Sequence, residues 1–554
     1  MVAREKTRQT LLNNQSMSQS STVYDVCVVG TGAAGGVVAK QLAENGASVV
    51  ALEAGKWVDP AKDFYSHTMP YEAPKNGFGW DPRRHLRVDP AKEPFAKDGN
   101  TRFDYFLMKA VGGKTLLWAG LSWRNSPFDF ASWPVKYEEL DRYYDRMEKL
   151  MGVTGNYDRH PNVPDGVFLK PLPWNCAAYE VKKGCEKLDP KRYRMIAARK
   201  AILTERNWSK RAACHYCGHC MRGCDSESKF TSANTSIPEA IKTGKFKLIL
   251  FANAAEVIVS KDGRKATGVR YYDARTLKSY EVKARYIVLA CGPIESARLL
   301  LMSKSSRFPT GLANSSGLVG KNLISHTTSS AGGYLKSLKG REVMRDDGSE
   351  SSHAYIASFY WEKPHPDFPK GYHIIVDSGT RLGVGNPGFA QNPSGFGSDF
   401  KREVRERFPA LINLYSQNGM IPSPERYVEL DPQVKDKYGL PAPKIHFNLT
   451  AEDRAIFKDA TEKISEIIEA SGGVISYTQR QPGVDSVHYV GTCKMGNDPK
   501  TSVLTPFLQS HDVDNLYVAD GSGFIDYSEK NPTLTVMALA SRSADHVYEQ
   551  LRRL

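Results

Sequence analysis

Four cysteines fall within eleven residues: Cys214, Cys217, Cys220 and Cys224, with His215 and His219 between them. Thiolates at C-x2-C-x2-C-x3-C spacing can ligate an iron–sulfur cluster, and thiolates mixed with imidazoles suit zinc equally. Asp225 stands where the ferredoxin pattern has proline, and no second cluster motif is present. Four neighbouring thiols can also be structural, or can pair in an oxidising compartment. The spacing therefore leaves iron–sulfur, zinc and plain thiols open. The other five cysteines are scattered, and Cys27 and Cys291 sit in apolar strand contexts that suit inert core residues.

A second group has a firmer reading. An apolar run at 26–29 feeds Gly30-Thr31-Gly32-Ala33-Ala34-Gly35, a helix-compatible stretch follows, and a second apolar run at 48–52 ends on Glu53. Gly30 permits a tight turn, Gly32 lets backbone approach a pyrophosphate, and Gly35 lets the helix pack closely on the strand. Amides of the helix start, including those of Ala33 and Ala34, can meet phosphate, and Glu53 can accept from ribose hydroxyls. A lone GxGxxG is weak. With a strand before it and an acid after it, it predicts an adenine dinucleotide site.

These groups must be held by a chain of 554 residues, too long for one ordinary core, so two domains or one elaborated double domain are expected. The apolar fraction of 41% and charged fraction of 25% are those of a globular protein. No apolar run approaches the roughly 18 residues a membrane-spanning helix needs. The net charge of +14 invites a nucleic-acid reading. The basic residues are scattered without a long run, so a basic solvated surface is preferred, one that could favour an anionic substrate or an acidic electron-transfer partner. Residues 1–22 are basic and rich in Gln, Ser and Asn, with no apolar signal core; they read as a disordered tail on a cytoplasmic protein.

The elements follow from periodicity. Residues 137–151 read as an amphipathic helix, 284–301 as strand, turn and helix, and 451–471 as a helix. Between about 331 and 480, alternating and aromatic segments broken by Gly and Pro suggest a mainly antiparallel sheet. Strand–turn–helix grammar returns at 515–551. The expected fold is α/β: a discontinuous Rossmann-type dinucleotide domain (23–330 and 481–554, with a cysteine-rich insert at 212–226) and an inserted, mainly antiparallel substrate domain (331–480). Trp361, Tyr372 and Phe389 in that insert could form platforms for sugar rings or simply build a β core.

Six separated motifs then carry a resemblance that spans nearly the whole chain: GTGAAG with Glu53, GGKTLLWAG (112–120), LACGPIESARLLL (289–301), GLVGKNLISH (317–326), HYVGTCKMG (488–496), and DGSGF with NPTLTVMALA (520–540). In this order they resemble the glucose–methanol–choline oxidoreductases, FAD enzymes that oxidise alcohols. The cysteine-rich insert and the TLLWAG form of the loop look closest to bacterial gluconate and FAD-glucose dehydrogenase flavoprotein subunits.

The resemblance implies FAD bound through Gly30, Gly32, Ala33, Ala34, Gly35 and Glu53, through Gly112, Gly113 and Thr115, and through Asp520, Gly521, Asn531, Pro532 and Thr533. His488 matches the family's catalytic histidine and Asn531 the second catalytic position. Chemistry agrees: removing an alcohol's hydroxyl proton needs a base, for which imidazole serves near neutral pH, and the carbon-bound hydride needs a cofactor, here flavin N5. By default, though, a single histidine in a polar loop is structural, and Asn531 before Pro532 is an N-cap with Pro at N1. His326 and His511 are read as structural. Leu117 occupies the position where some relatives carry a flavin-tethering histidine, so the FAD is expected to be non-covalent.

In the resembled sugar dehydrogenases, cysteines near 214–224 hold an iron–sulfur cluster that takes electrons from the flavin. That implies a dehydrogenase of a sugar, sugar acid or polyol serving an external acceptor, such as a cytochrome, with a small subunit that could carry the protein to the periplasm. An oxidase using O₂, a non-redox FAD-containing lyase and a flavin-bearing scaffold are the alternatives.

Overall fold

The computed structural model describes residues 22–64, 88–98, 103–206, 208–218, 220–342, 354–378, 393, 395–485 and 487–554. The expected disordered tail (apart from Thr22), His219 and Phe389 lie outside the described residues.

The first sheet is built on the dinucleotide grammar. Strands β1 (Val23–Val29), β2 (Val49–Glu53), β3 (Phe246–Leu250), β4 (Ala252–Val259), β5 (Ala266–Asp273) and β6 (Ser279–Leu289) stand in the order β3-β2-β1-β6-β5-β4. Pairing is parallel from β3 through β6 and antiparallel at β5 and β4. Val26, Cys27 and Val28 of β1 are fully buried, as continuous apolar runs in a parallel sheet require. Helix α1 (Ala33–Glu44) leaves β1 through Gly30, whose φ of +96° suits only glycine, and a Cβ there would lie 2.5 Å from the Ala290 carbonyl. Helix α2 (Pro293–Met302) leaves β6 through Gly292 in the same manner.

The second sheet is antiparallel. Strands β7 (Thr327–Leu335), β8 (Ala354–Phe359), β9 (Tyr372–Ser378), β10 (Leu411–Asn418) and β11 (Gly473–Thr478) lie in the order β11-β7-β10-β9-β8. The short strand Met195–Ala197 extends it beyond β8, so residues far upstream of 331 join this sheet. Its two faces differ. Ile374, Val376, Ile412 and Leu414 form one core with helix α3 (Ala451–Ala470) and the helix Cys176–Leu188. His373, Ile375 and Asp377, directly opposite Gln417, Tyr415 and Asn413, take the other face, as the period of two demands.

The chain returns to the first sheet at its end. Strand β12 (Leu516–Val518) pairs in parallel with β6, and helix α4 (Thr533–Leu551) lies on α1, where Ser541 and Gln41 exchange hydrogen bonds of 2.7 and 3.0 Å. The helices at Tyr137–Met151 and Ala451–Ala470 fall where periodicity places them. A helix at Gly397–Arg407 was not expected; it buries no residue and is tied down by ion pairs of Lys339 to its Glu403 and Glu406, which leave no periodic apolar signal. Among the described residues no helix is long and apolar enough to cross a membrane.

Candidate active site

A cavity of about 560 Å³ runs from the β1–α1 turn to the polar face of the second sheet. Gly30, Gly32, Ala33, Ala34, Glu53, Gly113, Thr115, Asp520, Gly521, Asn531, Pro532, Thr533 and His488 all line it. Gly35 and Gly112 do not; they shape the walls. A Cβ on Gly35 would lie 2.0 Å from the Gly30 carbonyl oxygen, so no larger residue lets α1 seat against the turn. Gly112 holds φ +96° at the head of a short 3-10 turn, Gly113–Leu116, and the Thr115 hydroxyl bonds the Gly112 carbonyl at 2.5 Å while accepting from the Ser232 amide at 3.1 Å.

The nucleotide end fits a pyrophosphate by its emptiness at one point: a Cβ on Gly32 would meet nothing within 4 Å, although its neighbours are tightly packed. Backbone there borders open cavity. The N-terminal residue of α1 has no side-chain cap, so its first amides are available to a ligand. The two acids at this end are already engaged. Glu53 accepts from the Thr31 hydroxyl at 2.5 Å, the Thr31 amide at 3.2 Å and the Gly55 amide at 3.0 Å. Asp520 accepts from the Gly292 amide (2.8 Å) and Ser296 hydroxyl (2.6 Å) on one oxygen, and from the Ser522 amide (2.9 Å) and hydroxyl (2.5 Å) on the other. Burial raises the proton affinity of both carboxyls, and these donors oppose it. Thr31, Ser296 and Ser522 carry no periodic or spacing signal, and sequence reasoning missed them. The buried Leu117 side chain lines the same cavity and has no atom able to tether a flavin.

At the other end, three segments remote in sequence converge on His488 and its neighbour Asp485. Its Nδ1 lies 2.8 Å from Asp485 Oδ2, 3.2 Å from His326 Nδ1 and 3.2 Å from Gln417 Nε2, and its Nε2 lies 3.3 Å from Asn531 Nδ2. Asn531 is buried, and its Oδ1 has no hydrogen-bond partner. An orphaned buried acceptor beside an imidazole nitrogen is a place for a hydroxyl group. Helix α4 begins at Thr533 with Pro532 at its cap position and no side-chain cap bond, which corrects the expected N-cap at Asn531. The amide is thereby released from capping.

His326, read as structural from the sequence, stands in contact with His488. Its Nε2 bonds the Ser528 carbonyl at 2.8 Å, its ring stacks on Tyr527 at 4.1 Å, and its Nδ1 faces His488. Burial, then the neighbouring His488, lowers its pKa to about 3, so it stays neutral. His373 is also lowered to about 3 by burial, and it bonds Gln417 Oε1 at 3.2 Å. Burial alone would raise the Asp485 carboxyl; the His488 imidazole and the Val487 amide reverse that and hold it well below the ordinary range. Asp485, three residues before His488, gave a spacing clue that sequence reasoning left unused. His511 is elsewhere, with Nε2 3.0 Å from the Ser502 hydroxyl and 3.2 Å from the Gly496 carbonyl.

The cysteine loop borders this cavity without entering it. Met221, inside the motif, lines the cavity, while Cys214, Cys217, Cys220 and Cys224 do not. Buried Lys229 ties the loop to the cavity wall, donating to the carbonyls of Cys220 (2.5 Å), Leu116 (3.1 Å) and Trp118 (2.8 Å). Burial, with Cys220 and Cys224 adding to it, pushes the Cys214 thiol up to about 11. No disulfide joins any of the nine cysteines, and among the described residues no three His, Cys, Asp or Glu side chains are gathered as a metal ion would need.

Comparison with known proteins agrees with this architecture. The GMC oxidoreductase family models match residues 24–328 and 422–540. A 2-methyl-1,2-propanediol dehydrogenase of Mycolicibacterium austroafricanum is 30% identical over 96% of both chains. The fructose dehydrogenase large subunit of Gluconobacter japonicus is 26% identical over 97% of this chain and all of its own length. The gluconate 2-dehydrogenase flavoprotein of Pantoea cypripedii is 26% identical over 95% of this chain and 94% of its own. Among solved structures, pyridoxine 4-oxidase from Mesorbium loti superposes with a TM-score of 0.66 at 16% identity, covering 95% of this chain and 99% of its own, which speaks to the fold alone.

Proposed function

The chain belongs to the GMC oxidoreductases, FAD-dependent enzymes acting on CH–OH groups, and from that premise we propose that it dehydrogenates a sugar, sugar acid or polyol with His488 as the base and Asn531 as the substrate's anchor. The observation that carries the reading is the pairing of His488 Nε2 with the Asn531 amide at 3.3 Å, beside an Asn531 Oδ1 that has no partner. A substrate hydroxyl seated there donates to one of these acceptors and accepts from Asn531 Nδ2. His488 Nε2 takes the hydroxyl proton as the carbon–hydrogen bond breaks. Bound FAD supplies the acceptor for the carbon-bound hydride. Gly32 and the α1 amides would hold its pyrophosphate, and Leu117 would offer its flavin no covalent attachment. The first sheet serves the cofactor and the second the substrate.

Electrons then pass to an external acceptor. Cys214, Cys217, Cys220 and Cys224 carry the iron–sulfur motif, but among the described residues they are not gathered as a cluster would need, so that exit is not assigned to them; iron and sulfide content tests the motif. A cytochrome-type acceptor and a small subunit are the proposed partners.

The test is anaerobic titration of the purified flavoprotein with polyols, sugars and sugar acids. Bleaching of the flavin band by a member of the panel, and its loss in His488→Ala, is the expected result. Flavin that no alcohol bleaches would overturn the redox reading, and rapid recovery of the band on readmitting air would replace dehydrogenase by oxidase.

A further inference from the structure

His488 has two ring nitrogens, and only one is useful to a substrate. Resting on the base assignment above, we propose that Asp485 is a positioning residue: its carboxylate captures the His488 Nδ1 proton and so keeps Nε2 bare toward Asn531. The geometry assigns each hydrogen. His326 Nε2 donates to the Ser528 carbonyl at 2.8 Å, so the His326 Nδ1 facing His488 can only accept. Asp485 Oδ2 can only accept as well, at 2.8 Å. Both acceptors call for a proton at Nδ1, and the Gln417 amide nitrogen, 3.2 Å from the same Nδ1, turns its hydrogens to the Asp485 carboxylate. The charged acceptor, closer by 0.4 Å than the imidazole at 3.2 Å, holds the proton.

Gln417 fixes the carboxylate from behind. With His373 donating to its Oε1 at 3.2 Å, its amide nitrogen lies 3.5 Å from Asp485 Oδ2. The flipped amide would set two acceptors against each other. The loop is also held as a unit: the Ser325 hydroxyl donates to the Asp485 carbonyl at 2.5 Å, the Asp485 amide to the His326 carbonyl at 2.9 Å, and the Val487 amide to Asp485 Oδ1 at 3.1 Å. Nothing in this set touches Nε2 except Asn531. When Nε2 gains a proton, the resulting cation faces a carboxylate already bonded to its far side, and no group need move.

The groups facing His488 are Asp485 from its own loop, neutral His326 at the head of β7, Gln417 from β10 and Asn531 before α4. Lys114 lies nearby, its Nζ 3.5 Å from the Val487 carbonyl. Asp485 is the only anion in direct contact among them, so it stabilises the protonated imidazole.

The experiment compares Asp485→Asn, Asp485→Glu and His488→Ala holoenzymes, with flavin content as the check on folding. Asp485→Asn is expected to lose about 10²- to 10⁴-fold in kcat through the wrong tautomer, with KM within about threefold, and Asp485→Glu to restore part of kcat. An Asp485→Asn enzyme with kcat within about threefold of the parent, beside an inactive His488→Ala, overturns this inference alone. An active His488→Ala overturns it together with the base assignment. Should Asp485→Asn fail to hold flavin, nitrogen NMR of the parent holoenzyme decides, with His488 identified by its absence from His488→Ala: a bare Nε2 supports the proposal and a protonated Nε2 with bare Nδ1 overturns it.

Discussion

The two ends of the cavity are made differently. The nucleotide end is backbone: Gly30, Gly32 and Gly35 lie within six residues, and what matters is where side chains are missing. The proposed catalytic end is side chains: His326, Gln417, Asp485, His488 and Asn531 arrive from segments up to 205 residues apart (531 − 326). A backbone-built site tolerates no added atoms, and a side-chain-built site tolerates no lost ones. Substitutions should therefore fail in opposite ways, by intrusion at one end and by deletion at the other.

The largest effect is expected from intrusion. Gly35→Val places atoms where even a Cβ would sit 2.0 Å from the Gly30 carbonyl oxygen. The turn must open, with a stability loss of at least about 1–3 kcal/mol and flavin lost on gel filtration. Flavin retention with a parental melting temperature would break the contrast. Next comes deletion at the proposed base: His488→Ala should lower the rate of anaerobic flavin bleaching about 10²- to 10⁴-fold while flavin content stays parental.

A third substitution separates function from stability at one residue. Asn531→Ala removes a buried Oδ1 that has no partner, so the melting temperature should hold or rise, while bleaching slows about 10²-fold. A fall in both would mean that Asn531 supports the fold instead. The last effect concerns pH. His326 and His373 have folded pKa values near 3, below the ordinary value of about 6.5. The unfolded chain then binds more protons between those values, so stability declines as pH falls from about 6.5 towards 3, by about 2 kcal/mol per histidine at pH 5. Thermal melts at pH 7 and 5 check this, and His373→Gln should lessen the loss if its neutral burial is one source.

Legibility tracked the same contrast. The β1–α1–β2 unit could be read because its glycines and acid follow one another along the chain. The helices at Tyr137–Met151 and Ala451–Ala470 could be read because each has one apolar stripe. Gly397–Arg407, held by ion pairs and burying nothing, has no stripe to read. The N-cap expected at Asn531 was a local inference from Asn before Pro; the structure starts α4 two residues later, and the amide turns to His488 instead. Motif resemblance pointed to His488 and Asn531. It could not point to Gln417 and His373, which meet because β9 and β10 pair in one register; a slip of one strand by one residue would turn its member of the pair into the apolar core.

What the sequence determined by itself is whatever depends on neighbours in the chain: the glycine turn, its strands, the helix stripes, and a leucine where a tether would need a nucleophile. Tertiary structure decided what depends on meeting across distance. It turned Glu53 and Asp520 toward donors within the chain, tied the cysteine loop to the cavity wall through Lys229, and set a carboxylate, two imidazoles and two amides around one point. The reason is physical: backbone conformation is fixed by local sterics, whereas the protonation and orientation of an imidazole are fixed by whichever groups the fold brings within hydrogen-bonding reach.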